Sequence, residues 1–570
     1  MPASFLVLSL LLMLPLWLSG QPRLLGYGAD SAMHLWFFEW FPFAITHGLN
    51  PFVTSLATSP QQVNLLWNNA DLPLALLAWP LIQVVGGAVA MGVVYTVLMA
   101  AAAAAMAWQL RPWVRHASAA WLGGLLFGFS PFAQSELAAG HLTWVTTATL
   151  PLGWWVGQRA IEAVRRCEHR VRWGLAGGGW LVLQYWASKE LLATSLLMVV
   201  LLLVVHFLRG RLRDLGWLRD TLPVVASAVL LAVALMAFPL VMQLSGAVAL
   251  SRPTVVSPTA DVVDLLAFIV PGYAQLVSPG AVGAISQHFS GIFLETDAYL
   301  GLPLVVLAVW VGLRRRSQPL AGFGIACAGL AALLALGPWL HVAGTRIDLP
   351  LPWLLIGRLP LYAKAVPSRM TVFVVAGVAC LLAAGWDHLV GALRPAARIA
   401  VVGLVFLPLL PSLGIIQGYA GFAMYLPQVF SSRQLRALPA GSVVVSIPWS
   451  TRGNHGLTMY WQAESGFRFA QPFGYLLHAG PGGVSTDLNT PSPLEKVVSQ
   501  LTLNQAVTTR PRSGALLGQL RRWHVAAIVV TRRHGFDFDV STLKSLLGRS
   551  PKTIAGAAVW FYPGRRSPTG

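Results

Sequence analysis

Residues 26–52 read "GYGADSAMHLWFFEWFPFAITHGLNPF". One Asp, one Glu and two His stand there among Trp and Phe, in a chain of 570 residues that is only 10% charged. The stretch follows directly on the apolar run "SFLVLSLLLMLPLWLSG". From Asp30 to His47 the residues Met33, Trp36, Phe37, Trp40, Phe41 and Ala44 recur at helical spacing. That spacing predicts an amphipathic helix lying in a membrane interface, where Trp is favoured. Asp30 is expected at the helix N-cap, where a carboxylate meets the positive end of the dipole. His34 lies four residues on, over the same face.

The rest of the chain supports a membrane setting. It is 56% hydrophobic, with a mean hydropathy of +0.65; a soluble chain carries about 25% charged residues. Apolar spans are readable near 4–20, 88–109, 118–134, 143–163, 174–187, 191–208, 221–243, 298–313, 320–340, 370–390 and 399–417. The expected fold is an all-α polytopic membrane protein with about 11–13 transmembrane helices. The first span lacks a positive n-region and reads as a retained helix, not a cleaved leader. Residues 72–86, broken by Pro73 and Pro80, read as interfacial or half-inserted.

Lys and Arg number 39 against 20 Asp and Glu. They gather between spans, as in "RRCEHRVR" (165–172) and "RGRLRDLGWLRD" (209–220). That is the positive-inside pattern of cytoplasmic loops, so nucleic acid is not an expected partner. The segments between them then face outward: 21–70, 135–142, 188–190, 244–297, 341–369 and everything after about 418. Cys167, Cys327 and Cys380 are far apart, with no zinc spacing. The body is therefore 1–417, and 418–570 is expected to be a small extracytoplasmic α/β domain. Its strands are read at 442–449, 525–531 and 557–563, and its helices at 431–438 and 514–523.

The order of these parts carries a resemblance. A short first span precedes an outward loop headed by Asp30 and ending "HGLNPF". Then come "NNADLPL", the outward "SPFAQSELAAGH", "ETDAYLGLPLVVLAV" (295–309), "LPLYAKAVPSRM" (359–370), and a tail with "LPAGSVVVSIPW" and "YWQAESGFRFAQPFGY". This resembles the GT-C superfamily of integral membrane glycosyltransferases, most of all its bacterial YfhO-like branch.

The resemblance implies a sugar donor on a polyprenyl phosphate or pyrophosphate, a glycan or lipid acceptor, and transfer, usually with inversion, at the outer face of a bacterial inner membrane. Asp30 matches the family's general base. Many members carry paired acids there, whereas this chain has "GAD", with Ala29 before the Asp. Glu39, nine residues along the helix, falls on about the opposite side and reads as structural. Donor-phosphate binding falls to the few outward cations: Lys364, Arg369, His141 and Lys189, the last beside Glu190 in "ASKELL". Acceptor or metal candidates are Glu295, Asp297 and His288 in the long outer loop. A divalent cation, Mg or Mn, is compatible with that set. In the tail, Asn454, His455, His478, Ser485 and Asp487 lack any nucleophile elbow or phosphate loop. Two other readings remain: a lipid or polysaccharide transporter or flippase, and a non-catalytic envelope assembly protein.

Overall fold

The computed structural model describes the chain except residues 69–70, 209–215, 246–247, 249–260, 293, 360, 364, 451–455, 473, 479–491, 508–512 and 563–570. The chain divides into two units, one of residues 1–20, 92–237 and 255–421, the other of 21–91, 238–254 and 422–570.

The first unit is a bundle of apolar helices built around Thr371–Ala392. Pro319–Ala335, Ala117–Gly128 and Leu302–Arg315 pack against it. Small residues permit the close approach: a side chain at Gly324 would lie 2.7 Å from the Gly377 carbonyl oxygen. Among the described residues, four helices are long and apolar enough to cross a bilayer: Gly87–Trp113, Lys189–Leu208, Arg219–Ser245 and Pro367–Ala392. They differ in setting. The most apolar window of Pro367–Ala392 is 89% buried in protein, that of Arg219–Ser245 only 11%. The second helix bares Leu222, Val225, Val229, Leu230 and Val233, as a lipid-facing helix does.

Proline and glycine cut several of the expected spans. The first becomes Pro2–Leu12 and Leu14–Trp17. The 118–134 span stops at Gly128, and Ser130–Pro131 starts a new helix, Pro131–Ala139. The 399–417 span becomes Pro395–Phe406 and Leu413–Ala420, separated by Pro408 and Pro411. Leu72–Val85 is one 14-residue helix with Pro80 inside it, about 21 Å long and so short of a full crossing.

In the second unit, Asp30–Thr46 forms the expected helix but in a different environment. It packs on Leu72–Val85 and Leu457–Glu464, and nearly every face is buried. It is a core helix of this unit, not an amphipathic one. Trp36 stacks on Trp40 with centroids 5.3 Å apart, and Phe467 meets Trp36, Trp40 and Phe43. Trp36 Nε1 donates to Gln462 Oε1 at 2.7 Å, which satisfies the indole inside the core.

The tail holds a five-stranded mixed sheet. Its order is Lys552–Ile554, Ala557–Phe561, Val525–Val530, Ser442–Ile447, Phe469–Ala470. The central Val525–Val530 and Ser442–Ile447 strands pair in parallel. Both are almost wholly buried, hence their richness in Val, Ile and Ala. Ala555 and Gly556, both with positive φ, form the two-residue turn that joins the antiparallel edge hairpin. Helices Pro493–Thr502, Ser513–Arg522 and Phe536–Leu547 complete this domain.

Candidate functional site

The first unit gathers five ionisable side chains from four segments. Ser130 caps Pro131–Ala139, its hydroxyl accepting from the Ala133 amide at 3.3 Å. The helix ends at Gly140, in the left-handed conformation that glycine adopts without strain. That turn brings His141 back over the helix. Its Nδ1 lies 2.7 Å from Glu136 Oε2, and its Nε2 3.7 Å from Glu295 Oε1. Glu295 in turn meets Arg369, whose Nε and Nη2 lie 3.2 and 3.1 Å from Oε2. Arg369 Nη1 donates to Glu190 Oε2, and Glu190 Oε1 accepts from the Val366 amide at 2.8 Å. The guanidinium lies 5.3 Å from the centroid of the Trp144 ring, a cation–π contact.

The cluster is nearly dry. Glu136 is fully buried, and His141, Glu295 and Arg369 are each about one-seventh exposed. Burial pushes the Glu136 carboxyl above the ordinary carboxylate range, against the opposing pull of His141. Asp297 lies in an adjoining network, accepting from Ser135 Oγ at 2.8 Å, Gln275 Nε2 at 2.9 Å and the Tyr299 amide at 3.2 Å. Burial raises its carboxyl as well.

Glu136, His141 and Glu295 each offer a ligand atom, all within 4.8 Å of one another. Two features fit a cation. Glu136 Oε1 is buried with no hydrogen-bond partner among the described residues. His141 Nε2 lies 3.7 Å from Glu295 Oε1, so the imidazole and that carboxylate converge. Two carboxylates and one imidazole suit Mn²⁺ better than Mg²⁺, which takes oxygen ligands.

Of the residues expected from sequence, Arg369, His141 and Glu295 therefore meet in one cluster. Asp297 lies beside it on other partners. Lys189 sets its ammonium over the Tyr185 ring, 5.2 Å from the centroid. His288 is exposed at the end of Gly280–Ser286, with Nδ1 2.9 Å from the Ala284 carbonyl oxygen. Lys364 lies outside the described residues, as do Asn454, His455, Ser485 and Asp487. His478 keeps its Nδ1 on the Leu476 carbonyl oxygen at 3.1 Å. Glu136 was not singled out by the sequence. The signal available was its place five residues before His141, in a helix closed by Ser130 and Gly140. Glu190 was visible only as the neighbour of Lys189.

Asp30 belongs to the second unit and is half-buried. The N-cap is Ala29, with no side-chain cap bond, and Asp30 is the first helical residue. The carboxylate thus sits in the first turn, where the dipole favours it, and not at the cap. One turn on, His34 Nδ1 lies 2.6 Å from Asp71 Oδ2, both side chains about 1% exposed. This pair ties Asp30–Thr46 to the start of Leu72–Val85.

No family model matches the chain, and no curated protein matches it. Solved structures do. The apo crystal structure of the Archaeoglobus fulgidus oligosaccharyltransferase matches with a TM-score of 0.53 at 11% identity, over 96% of this chain and 71% of that one. The arabinofuranosyltransferase AftD from Mycobacteria matches with a TM-score of 0.52 at 15% identity, over 93% of this chain. The chain spans only 35% of AftD. Both are members of the GT-C superfamily. The chain thus shares its fold with these two proteins, and its long apolar helices make it an integral membrane protein.

Proposed function

We propose that the protein is a glycosyltransferase of the YfhO-like kind that moves a sugar from a polyprenyl-phosphate donor to a cell-envelope glycan or lipid. Transfer takes place at the outer face of a bacterial inner membrane, and the tail lies on that same side. The likeness to two solved glycosyltransferases over more than nine-tenths of the chain carries this reading. A transporter or an idle assembly protein has no comparable observation behind it.

In an inverting transfer, a carboxylate takes the proton of the acceptor hydroxyl as its oxygen bonds to the anomeric carbon. The bond from that carbon to the phosphate oxygen breaks, and the electron pair leaves with the phosphate. Asp30 is the proposed base. Arg369 is the proposed partner of the phosphate, since its planar fork suits two oxygens of one anion. His141 and the described carboxylates Glu136 and Glu295 would hold a divalent cation. When bound there, it would supply positive charge against the charge that develops on a leaving phosphate. Lys364 and Lys189 remain proposed contacts to the donor; Asp297 and His288 remain proposed contacts to the acceptor.

The test is sugar transfer by purified protein from a panel of polyprenyl-phosphate sugars, wild type beside Asp30→Asn. Asn is nearly isosteric and suits a first helical turn, but it cannot act as the base. Transfer by wild type and a loss of at least ~100-fold in a folded Asp30→Asn protein is the expected result. Equal transfer by both would remove Asp30 from the base role.

A further inference from the structure

Arg369 occupies an unusual place. Its Nε and Nη2 edge lies on Glu295, and its Nη1 on Glu190. Glu295 is also one of three residues able to hold a cation, and its Oε1 faces His141 Nε2. Glu295 therefore has two claimants, a fixed guanidinium and an incoming metal ion. The two carry like charge, and a cation bonded to Glu295 would sit within a few ångströms of the guanidinium in a nearly dry cluster. In such a setting like charges repel strongly. Glu190 is placed differently: it is absent from the three-residue set, and the Val366 amide holds its second oxygen. It can keep Arg369 by Nη1 while the other edge of the guanidinium swings away from Glu295.

We propose that a divalent cation and Arg369 compete for Glu295, so that cation binding releases the Nε–Nη2 edge of Arg369 to take a phosphate ester. Glu190 is then a positioning residue, holding the arginine through the exchange. Cation and phosphate bind cooperatively, because each removes an obstacle to the other: the cation frees the guanidinium, and the phosphate holds the freed guanidinium away from the cation. Linkage requires the effect to be reciprocal. The identity of the anion as a sugar donor's phosphate rests on the proposed transfer reaction; the competition itself does not.

The experiment is Mn²⁺ binding to the purified full-length protein, read from the EPR signal of free Mn²⁺. It is run alone, with farnesyl phosphate as a polyprenyl-phosphate probe, and with inorganic phosphate. No sugar is transferred, so failure here is distinct from failure of the glycosyltransferase reading. Wild type is expected to bind Mn²⁺ at least ~5-fold more tightly with farnesyl phosphate present, within the usual range of coupling. Arg369→Gln is expected to bind Mn²⁺ about tenfold more tightly than wild type, for want of its competitor, and to ignore farnesyl phosphate. Arg369→Lys keeps the charge and guards against misfolding of the Gln variant; its affinity should stay near wild type. Glu190→Gln should lose most of the coupling while still binding Mn²⁺. Glu295→Gln should lose the Mn²⁺ site and controls for metal bound by the probe itself.

Unchanged or weaker Mn²⁺ binding in a folded Arg369→Gln protein would overturn the competition. So would the absence of Mn²⁺ binding at millimolar concentration from both wild type and Arg369→Gln. Equal tightening by inorganic phosphate would overturn the lipid-linked assignment of the anion.

Discussion

Glu39 lies in the Asp30–Thr46 helix, close enough to Gly87 that any side chain there would collide with its carboxyl. Burial, and secondarily the charge of Glu464, raises its pKa from 4.5 to about 8. The unfolded chain would release that proton near the ordinary value, while the folded chain holds it to about 8. Between those limits the folded state binds more protons, so stability falls as pH rises. At about 1.4 kcal/mol per pH unit the full displacement bounds the penalty at ~5 kcal/mol. Because part of the shift comes from the neighbouring Glu464, about 2–4 kcal/mol is the figure to expect. Glu39→Gln keeps the shape and is neutral throughout. It should match wild type at pH 5 and be more stable at pH 9, by roughly 5–10 °C in thermal midpoint for a unit of this size. Thermal unfolding of detergent-purified protein from pH 5 to 9 measures the difference. Glu464→Gln should recover part of it, by removing the second cause. A gap between Glu39→Gln and wild type that stays constant across this range would refute the burial argument.

Gly128 faces the helix that contains Ala103; a Cβ there would stand 2.6 Å from Ala103 Cβ and 2.7 Å from its amide nitrogen. Gly128→Val should therefore cost at least ~1–3 kcal/mol and sharply lower the yield of monodisperse protein on size exclusion, because backbone atoms cannot move aside as side chains can. In the tail, Arg533 donates to Asp539 Oδ2 at 2.9 Å and to the Thr502 carbonyl oxygen at 3.0 Å, and Asp539 is fully buried. Arg533→Ala leaves that carboxylate without its cation, at about 3–5 kcal/mol. Hydrogen exchange along Val525–Val530 should accelerate, more at pH 8 than at pH 5. Asp539, already raised to about 6 by burial, would climb further without the arginine and be neutral at the lower pH.

Much of the fold was legible because its signals are local. The tail strands expected at 442–449, 525–531 and 557–563 are found at Ser442–Ile447, Val525–Val530 and Ala557–Phe561. Each is an apolar run that two neighbouring strands or helices can cover, so composition and length suffice. Edge strands Phe469–Ala470 and Lys552–Ile554 are too short to leave such a mark. The Asp30–Thr46 helix was legible as a helix but not in its setting. Trp and Phe at every third or fourth position serve an interface and a protein core equally well. Here the deciding partners, Gln462 and Phe467, lie more than 400 residues along the chain, beyond the reach of any periodicity.

The candidate site divides along the same line. Arg369, His141 and Glu295 stood out because charge is rare in the outward loops. Glu136 did not, since a Glu between Ser135 and Leu137 in a short polar segment looks solvated. It is buried, and the charges that act on it, Glu295 and Arg369, come from 159 and 233 residues away. Lys189 and Glu190 show why sequence adjacency misleads. Consecutive helical residues point about 100° apart, so one cation settles on the Tyr185 ring while its acidic neighbour reaches Arg369. Among the described residues the acid joins the cluster, while the cation meets an aromatic face. For that reason Glu190→Gln should alter how Arg369 is held, whereas Lys189→Gln should leave the cation affinity of Glu136, His141 and Glu295 unchanged in the same Mn²⁺ titration. A Lys189 variant that shifted that affinity as much as the Glu190 variant would show the two side chains acting as one unit after all.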